Sequence, residues 1–375
     1  MFRRSNHSIL NRRSLLASSC YGLGAMALGS LSAAENIRDT AAISGAHFPP
    51  RVRNIIFLFM SGGPSHLDLF DPKPQLTRQH GEPVSASLTK TLADPVIRGS
   101  AKYMASPRTF KRCGQSGIEF SDYLPYTSQL ADEICLIRSA YSDQSNHDPA
   151  QLLLNCGTPL FGNPSFGSWV VYGLGSESRD LPGYVVLLSN SGKGVDAGSS
   201  LWSSGFMPSN YRGVTFRSSG DPILYLSNPP GVTDRIQKSR LDLIKSLDQL
   251  HHQQVADPEI ESRISAYELA FRMQHSAPEL LDFRDESEST QRMYGLDQEI
   301  TRSFGTNCLL ARRMVERGVR FIQLFHSTWD DHNYLNKNLK TNCDMTDLPT
   351  VGLIRDLKQR GLLDDTLVIW AGEFG

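Results

Sequence analysis

What the sequence lacks narrows its chemistry first. Excess charge is missing: 38 Lys and Arg stand against 39 Asp and Glu, a formal net charge of −1 over 375 residues. That excludes the basic field on which nucleic-acid binding rests, so no nucleic-acid partner is expected. Six cysteines occur without a single CxxC spacing, which argues against a zinc finger. The glycine turn "SGGPSHLD" lacks the Lys-Ser/Thr ending of a P-loop, and its "GPSHL" is not the GxSxG of a nucleophile elbow. The apolar stretch Leu15 to Leu31 is rich in Gly, Ala and Ser and short for a spanning helix. No stable membrane span is therefore expected once a leader is removed. Repeats are absent too.

What is present begins with that leader. "MFRRSNHSILNRRSLLASSCYGLGAMALGSLSAAEN" has a basic start, an apolar middle and small residues at Ser32, Ala33 and Ala34, a cleavage pattern before Glu35. Arg12 and Arg13, followed by Ser14, Leu15 and Leu16, read as a twin-arginine signal, an address for an export machinery. An ordinary secretory signal with adjacent arginines is the alternative. Either way residues 1–34 are expected to be removed, leaving one domain over 35–375 in the periplasm or outside the cell. Cys20 goes with the leader, and Cys113, Cys135, Cys156, Cys308 and Cys343 remain. One or two disulfides suit an oxidising compartment; buried single thiols are the competing reading.

The patterns along the domain alternate. "RNIIFLFMSGG" is a continuous apolar run from Ile55 to Met60, as in a strand buried on both faces. Ile134 to Ile137 read the same way, with a helix around Ala150 to Leu154 after them. Phe304, Cys308, Ala311 and Val315 form a helical stripe that Gly318 ends, before the strand "VRFIQLF". Val351, Ile354 and Leu357 repeat the arrangement, with Gly361 and then "TLVIWAG". Helix-Gly-strand units predict an α/β fold, a mostly parallel sheet with helices on both faces. Residues 158–232, rich in Gly, Ser, Pro and Asn, read as a loop-rich surface excursion with short strands. Residues 233–300 read as a charged helical insertion, in which "DFRDESESTQ" is a solvated break.

Ligands of open parallel sheets bind beyond the carboxyl ends of the strands. The four predicted strand ends all carry carboxylates or imidazoles. The first offers Ser65, His66, Asp68 and Asp71; the second Asp143, Ser145, Asn146, His147 and Asp148. The third offers His326, Asp330, Asp331 and His332, and the last Glu373. Imidazole and carboxylate donors without thiolate suit a divalent metal ion such as zinc, manganese or calcium. Asp330 and His332, two apart in a loop, are the most metal-like pair; a turn in which Asp330 caps the next helix is the structural alternative. Ser145 is a candidate nucleophile, and His147 a ligand or general acid/base. Asn146 and Asp148 also suit a helix cap ahead of Pro149.

Taken together, the twin-arginine leader, "FLFMSGGPSHLDLFDPKP", "NHDPAQLLLNCG", "WDDHN" and "DDTLVIWAGEFG" resemble the secreted bacterial family called domain of unknown function 1501, over nearly the whole chain. That family is grouped with the alkaline phosphatase and sulfatase superfamily, so the resemblance implies an alkaline-phosphatase-like fold and a metal-dependent hydrolase of phosphate or sulfate esters. It implies metal binding by Asp330, His332 and Glu373, with Asp68 or His66 replacing the superfamily's first-strand carboxylate, where Ser61 stands. It places Ser145, Asn146 and His147 in the catalytic stretch. Two departures oppose a sulfatase mechanism: Glu373-Phe374 replaces an Asp-His pair, and no Cys or Thr occupies the nucleophile position. The alternative is a non-catalytic relative binding a sulfated or phosphorylated glycan, or a cell-surface partner. Members normally continue past "GEFG", so the resemblance also implies a chain that stops short.

Overall fold

The run Asn54–Met60 has no polar alternation, and in the computed structural model it becomes the buried strand β1. The structure describes residues 49–374 apart from 91–94, 190–194, 218–222, 224, 225 and 256. The expected leader, 1–34, lies outside the described residues. Every element below belongs to the unit Arg53–Gly375.

The other strands are β2 (Phe110–Cys113), β3 (Ile118–Ser121), β4 (Tyr184–Ser189), β5 (Val214–Phe216), β6 (Phe321–His326) and β7 (Thr366–Ala371). Five of them form one parallel sheet in the order β5-β4-β6-β1-β7, while β2 and β3 make a separate antiparallel hairpin. Met60 pairs with His326 and Phe59 with Ala371, so β1, β6 and β7 end side by side.

Successive residues of each strand face opposite sides, which explains the unbroken apolar runs. Ile56, Leu58, Val185, Leu187, Ile322 and Leu324 pack on one side with Phe304 and Cys308 of α5 (Glu299–Glu316) and Leu353 and Leu357 of α6 (Leu335–Gln359). Phe57, Phe59, Tyr184, Phe321 and Phe325 pack on the other with Leu152 of α1 (His147–Cys156) and Val171 of α2 (Phe166–Leu174). Each such side chain contributes about 1.5–3 kcal/mol on burial. The architecture is the expected α/β one, a parallel sheet covered on both faces, and it is consistent with an alkaline-phosphatase-like fold.

The helical stretch after residue 233 contains α3 (Asp234–Val255) and α4 (Pro258–Leu281), joined by the ion pairs Lys245–Glu268 and Arg263–Asp248. Asp257 caps α4 by accepting from the Glu259 amide.

Two expectations change. Ile134 to Ile137 form no strand: they follow a 3-10 helix, Thr127–Glu133, and Ile137 is 71% exposed. A four-residue apolar run does not specify a strand unless a neighbour pairs with it, and the place beside β6 is taken by β4. The loop-rich stretch 158–232 is more than a surface excursion, because it supplies β4, β5 and α2. Its Gly and Pro content marks the connections and hides a buried strand between them. Cys113, Cys135, Cys156, Cys308 and Cys343 are all free thiols. Among the described residues no helix is long and apolar enough to cross a membrane.

Candidate functional site

The site forms where β1, β6 and β7 end together. Past Met60 the chain turns through Gly62 at φ +114°, a conformation L side chains rarely adopt. A Cβ on Gly62 would stand 2.3 Å from the Asp330 amide nitrogen, so the absence of a side chain lets the two strand-end loops touch. Backbone bonds close that contact: the Ser61 amide donates to the His326 carbonyl at 2.9 Å, and the Trp329 amide to the Ser61 carbonyl at 3.1 Å.

The loop after β6 carries its own strain. Thr328 has φ +90°, unusual for a β-branched residue and costing about 1–3 kcal/mol. Asn342 of α6 holds it from both sides, accepting from the Thr328 hydroxyl at 2.7 Å and donating to its carbonyl at 2.8 Å. Trp329 is buried behind the loop, which turns Asp330 outward.

Four side chains converge there. The His332 Nε2 lies 2.8 Å from Asp330 Oδ1, and His147 Nε2 lies 3.5 Å from Asp330 Oδ2. One ligand atom from each of His147, Asp330 and His332 falls within 4.8 Å of the other two. Two ligands at about 2.1 Å from a tetrahedral ion stand roughly 3.4 Å apart, so the donor set and its spacing suit a divalent cation with modest closure. Beneath them Glu373 is buried, with Oε1 at 3.0 Å from His147 Nδ1. The Phe374 ring meets the His147 ring edge-on at 5.0 Å between centroids.

Charge sets the state of these groups. Burial pulls the His147 imidazole down, but the Glu373 hydrogen bond and the charges of Asp330, Glu373 and Asp196 outweigh it, and the net direction is up. Burial raises Asp331 as well, reinforced by neighbouring Asp330 and opposed by Asn338. His326, at the end of β6, is pushed down to about 4 by burial.

The structure thus brings together His147, Asp330, His332 and Glu373. Ser145 and Asn146 are exposed on the approach to α1; Asn146 occupies its N-cap without a side-chain capping bond. Asp68 is buried, and both its oxygens are taken: Oδ1 by the Ser106 hydroxyl at 2.5 Å and Oδ2 by Ser65 at 2.7 Å. His66 is half-buried, and among the described residues neither it nor Asp68 joins the His147 cluster. Gln151 is the functional neighbour that motif reading missed. It is fully buried and donates from Nε2 to Glu373 Oε1 and to the Ser61 hydroxyl, both at 2.9 Å. The available signal was its spacing: His147, Gln151 and Asn155 recur every four residues and share one face of α1.

No curated protein and no solved structure matches the chain. A family model described as "Protein of unknown function (DUF1501)" matches residues 52–375, which include the whole sheet and every residue of the cluster. The chain belongs to the DUF1501 family.

Proposed function

We infer that the protein is an exported, metal-dependent hydrolase of phosphate or sulfate esters, related to the alkaline phosphatases and sulfatases. The observation that carries the reading is the convergence of His147, Asp330 and His332 on one point at the strand ends. These three residues would hold a zinc, manganese or calcium ion. Such an ion supplies Lewis acidity toward a phosphoryl or sulfuryl oxygen. Asp330 provides the negative charge, the two imidazoles the nitrogen donors, and buried Trp329 keeps water from the rear of the loop. The twin-arginine pattern of Arg12 and Arg13 supports export.

One observation favours a second reading. Among the described residues no hydrogen bond joins the Ser145 hydroxyl, the expected nucleophile, to His147. A metal site whose expected nucleophile is not bonded to the neighbouring imidazole suits a protein that binds an anionic glycan or a cell-surface partner without turning it over.

Elemental mass spectrometry of the purified protein beside Asp330→Ala tests the reading. Near-stoichiometric metal in the wild type should fall at least tenfold in the variant, and aryl phosphate or sulfate should be hydrolysed only by the wild type. Metal without hydrolysis of either ester would favour the binding protein, and no metal in the wild type would sink both the site and the enzyme.

A further inference from the structure

We propose that Glu373 acts as a positioning residue: clamped by Gln151, its carboxylate holds His147 as the Nδ1–H tautomer and turns Nε2 toward Asp330. The direction of each hydrogen bond follows from backbone groups, whose donor and acceptor roles are fixed. The amides of Asp196 and Ala197 donate to Gln151 Oε1, at 3.0 and 3.3 Å. The opposite end of the side chain, Nε2, must then be the donor facing Glu373 Oε1 at 2.9 Å. The Gly62 amide donates to the same oxygen, also at 2.9 Å. An oxygen receiving two N–H groups is an acceptor, so the third group on it, His147 Nδ1 at 3.0 Å, carries its proton toward Glu373. The lone pair of a neutral ring is left on Nε2, the nitrogen nearest Asp330.

Gln151 is itself held from below. Asn155 donates to the Gln151 carbonyl at 2.8 Å, Gln323 of β6 donates to Asn155 Oδ1 at 2.6 Å, and the Tyr184 hydroxyl donates to Gln323 Oε1. A buried polar chain therefore runs from β4 through β6 and α1 to the site. Its members interrupt an otherwise apolar packing layer, a cost that is offset only when every group is bonded. Three donors occupy Oε1, so that oxygen orients the histidine and is not free to ligate a metal. Oε2 has no hydrogen-bond partner among the described residues, and zinc titration decides whether it ligates.

The proposal shares His147 with the proposed metal site, but its first test needs no metal. Full-length, metal-free protein labelled with 15N-histidine would be examined by long-range 1H–15N correlation NMR in alkaline buffer, where the ring is neutral. The His147 signal would be assigned by its loss in His147→Gln. A proton on Nδ1 in the wild type supports the proposal, and a proton on Nε2 overturns it whatever the metal result. Glu373→Gln should lose the single tautomer while its circular dichroism stays that of the wild type. If that variant does not fold, Gln151→Met, which removes the clamp and keeps the carboxylate, should produce the same mixture; a preserved Nδ1–H tautomer there overturns the role of Gln151. Zinc titration separates orientation from ligation. Glu373→Gln should weaken zinc about 10–100-fold, against complete loss in Asp330→Ala. A loss as complete as that of Asp330→Ala would make Glu373 a ligand and overturn the proposal. Nδ1–H in a wild-type protein that binds no zinc would leave the orienting role standing and remove the metal site.

Discussion

Two sets of buried polar side chains in this molecule differ in how far they are satisfied. Around Arg312 of α5 the set is closed by ion pairs, although Arg312 Nε and Nη2 meet their carboxylates outside hydrogen-bond geometry. Its guanidinium reaches Glu286 at 2.7 Å, Glu316 at 2.7 Å and Asp356 at 2.8 Å. Asp356 also accepts from the Tyr294 hydroxyl and from Arg360. Burial lowers Arg312, but the contacts in which it is the donor to Glu286 and Glu316 outweigh it, and the group stays charged. At the strand ends the set is open. Glu373 Oε2, His326 Nε2, Asp331 Oδ2 and Trp329 Nε1 are buried with no hydrogen-bond partner among the described residues. Closed networks hold elements together; atoms left open at a strand end are where a ligand or water has something to bind.

The sharpest way to break the comparison is to open the closed set. Arg312→Ala would remove the central cation and should cost about 3–5 kcal/mol. Glu286 would keep only its longer contacts with Arg313 and Arg360, and Asp356 would keep Arg360 as its one cation. Urea unfolding would measure it, while zinc binding of the folded protein should survive. A loss below about 1 kcal/mol would mean the network contributes little.

Acid should probe the open set next. In the unfolded chain an imidazole titrates near 6.5, but His326 stays neutral when folded down to about 4. Between those values the unfolded state binds more protons, so stability falls with falling pH, by roughly 3 kcal/mol from this group. His326→Phe should flatten that limb of the urea midpoint against pH. His147 has the opposite sign in metal-free protein. Its raised folded value makes its contribution complete below 6.5, and the contribution is lost as pH rises through the folded value.

A smaller loss should follow Gly62→Ala. Its positive φ and the approach to the Asp330 amide should cost about 1–3 kcal/mol in thermal unfolding. Zinc affinity should fall with it, because the two strand-end loops can no longer meet. The smallest effect belongs away from both sets. Leu243 of α3 is 61% exposed, and Leu243→Gln should change stability by no more than about 0.5 kcal/mol. A larger change would place that helix face in contact with something.

Legibility followed the range of the interactions. β1, β6 and β7 were readable because each is an apolar run bounded by glycine or polar residues, and α5 and α6 because their stripes keep helical spacing. β4 was not, since a six-residue strand inside a glycine-rich stretch owes its identity to β6 alongside it. Ile134 to Ile137 failed for the converse reason: the local pattern was present and the partner strand was absent. At the site, Asp330, His332 and Glu373 stood out by residue type at strand ends, and His147 by its place at the start of α1. Gln151 did not, because a glutamine inside a helix carries no chemical signature until something is found opposite it.

By itself the sequence determined that β1, β6 and β7 are strands, that α5 and α6 are helices, and that carboxylates and imidazoles follow those strands. Periodicity and residue chemistry are local properties, written into neighbouring positions. Only the tertiary structure decided that β1 lies between β6 and β7. That order makes Glu373 a neighbour of His147 across 226 positions of chain, and leaves Asp68 tied to Ser65 and Ser106. Strand order and hydrogen-bond direction depend on contacts between distant residues, and these exist only once the sheet has formed.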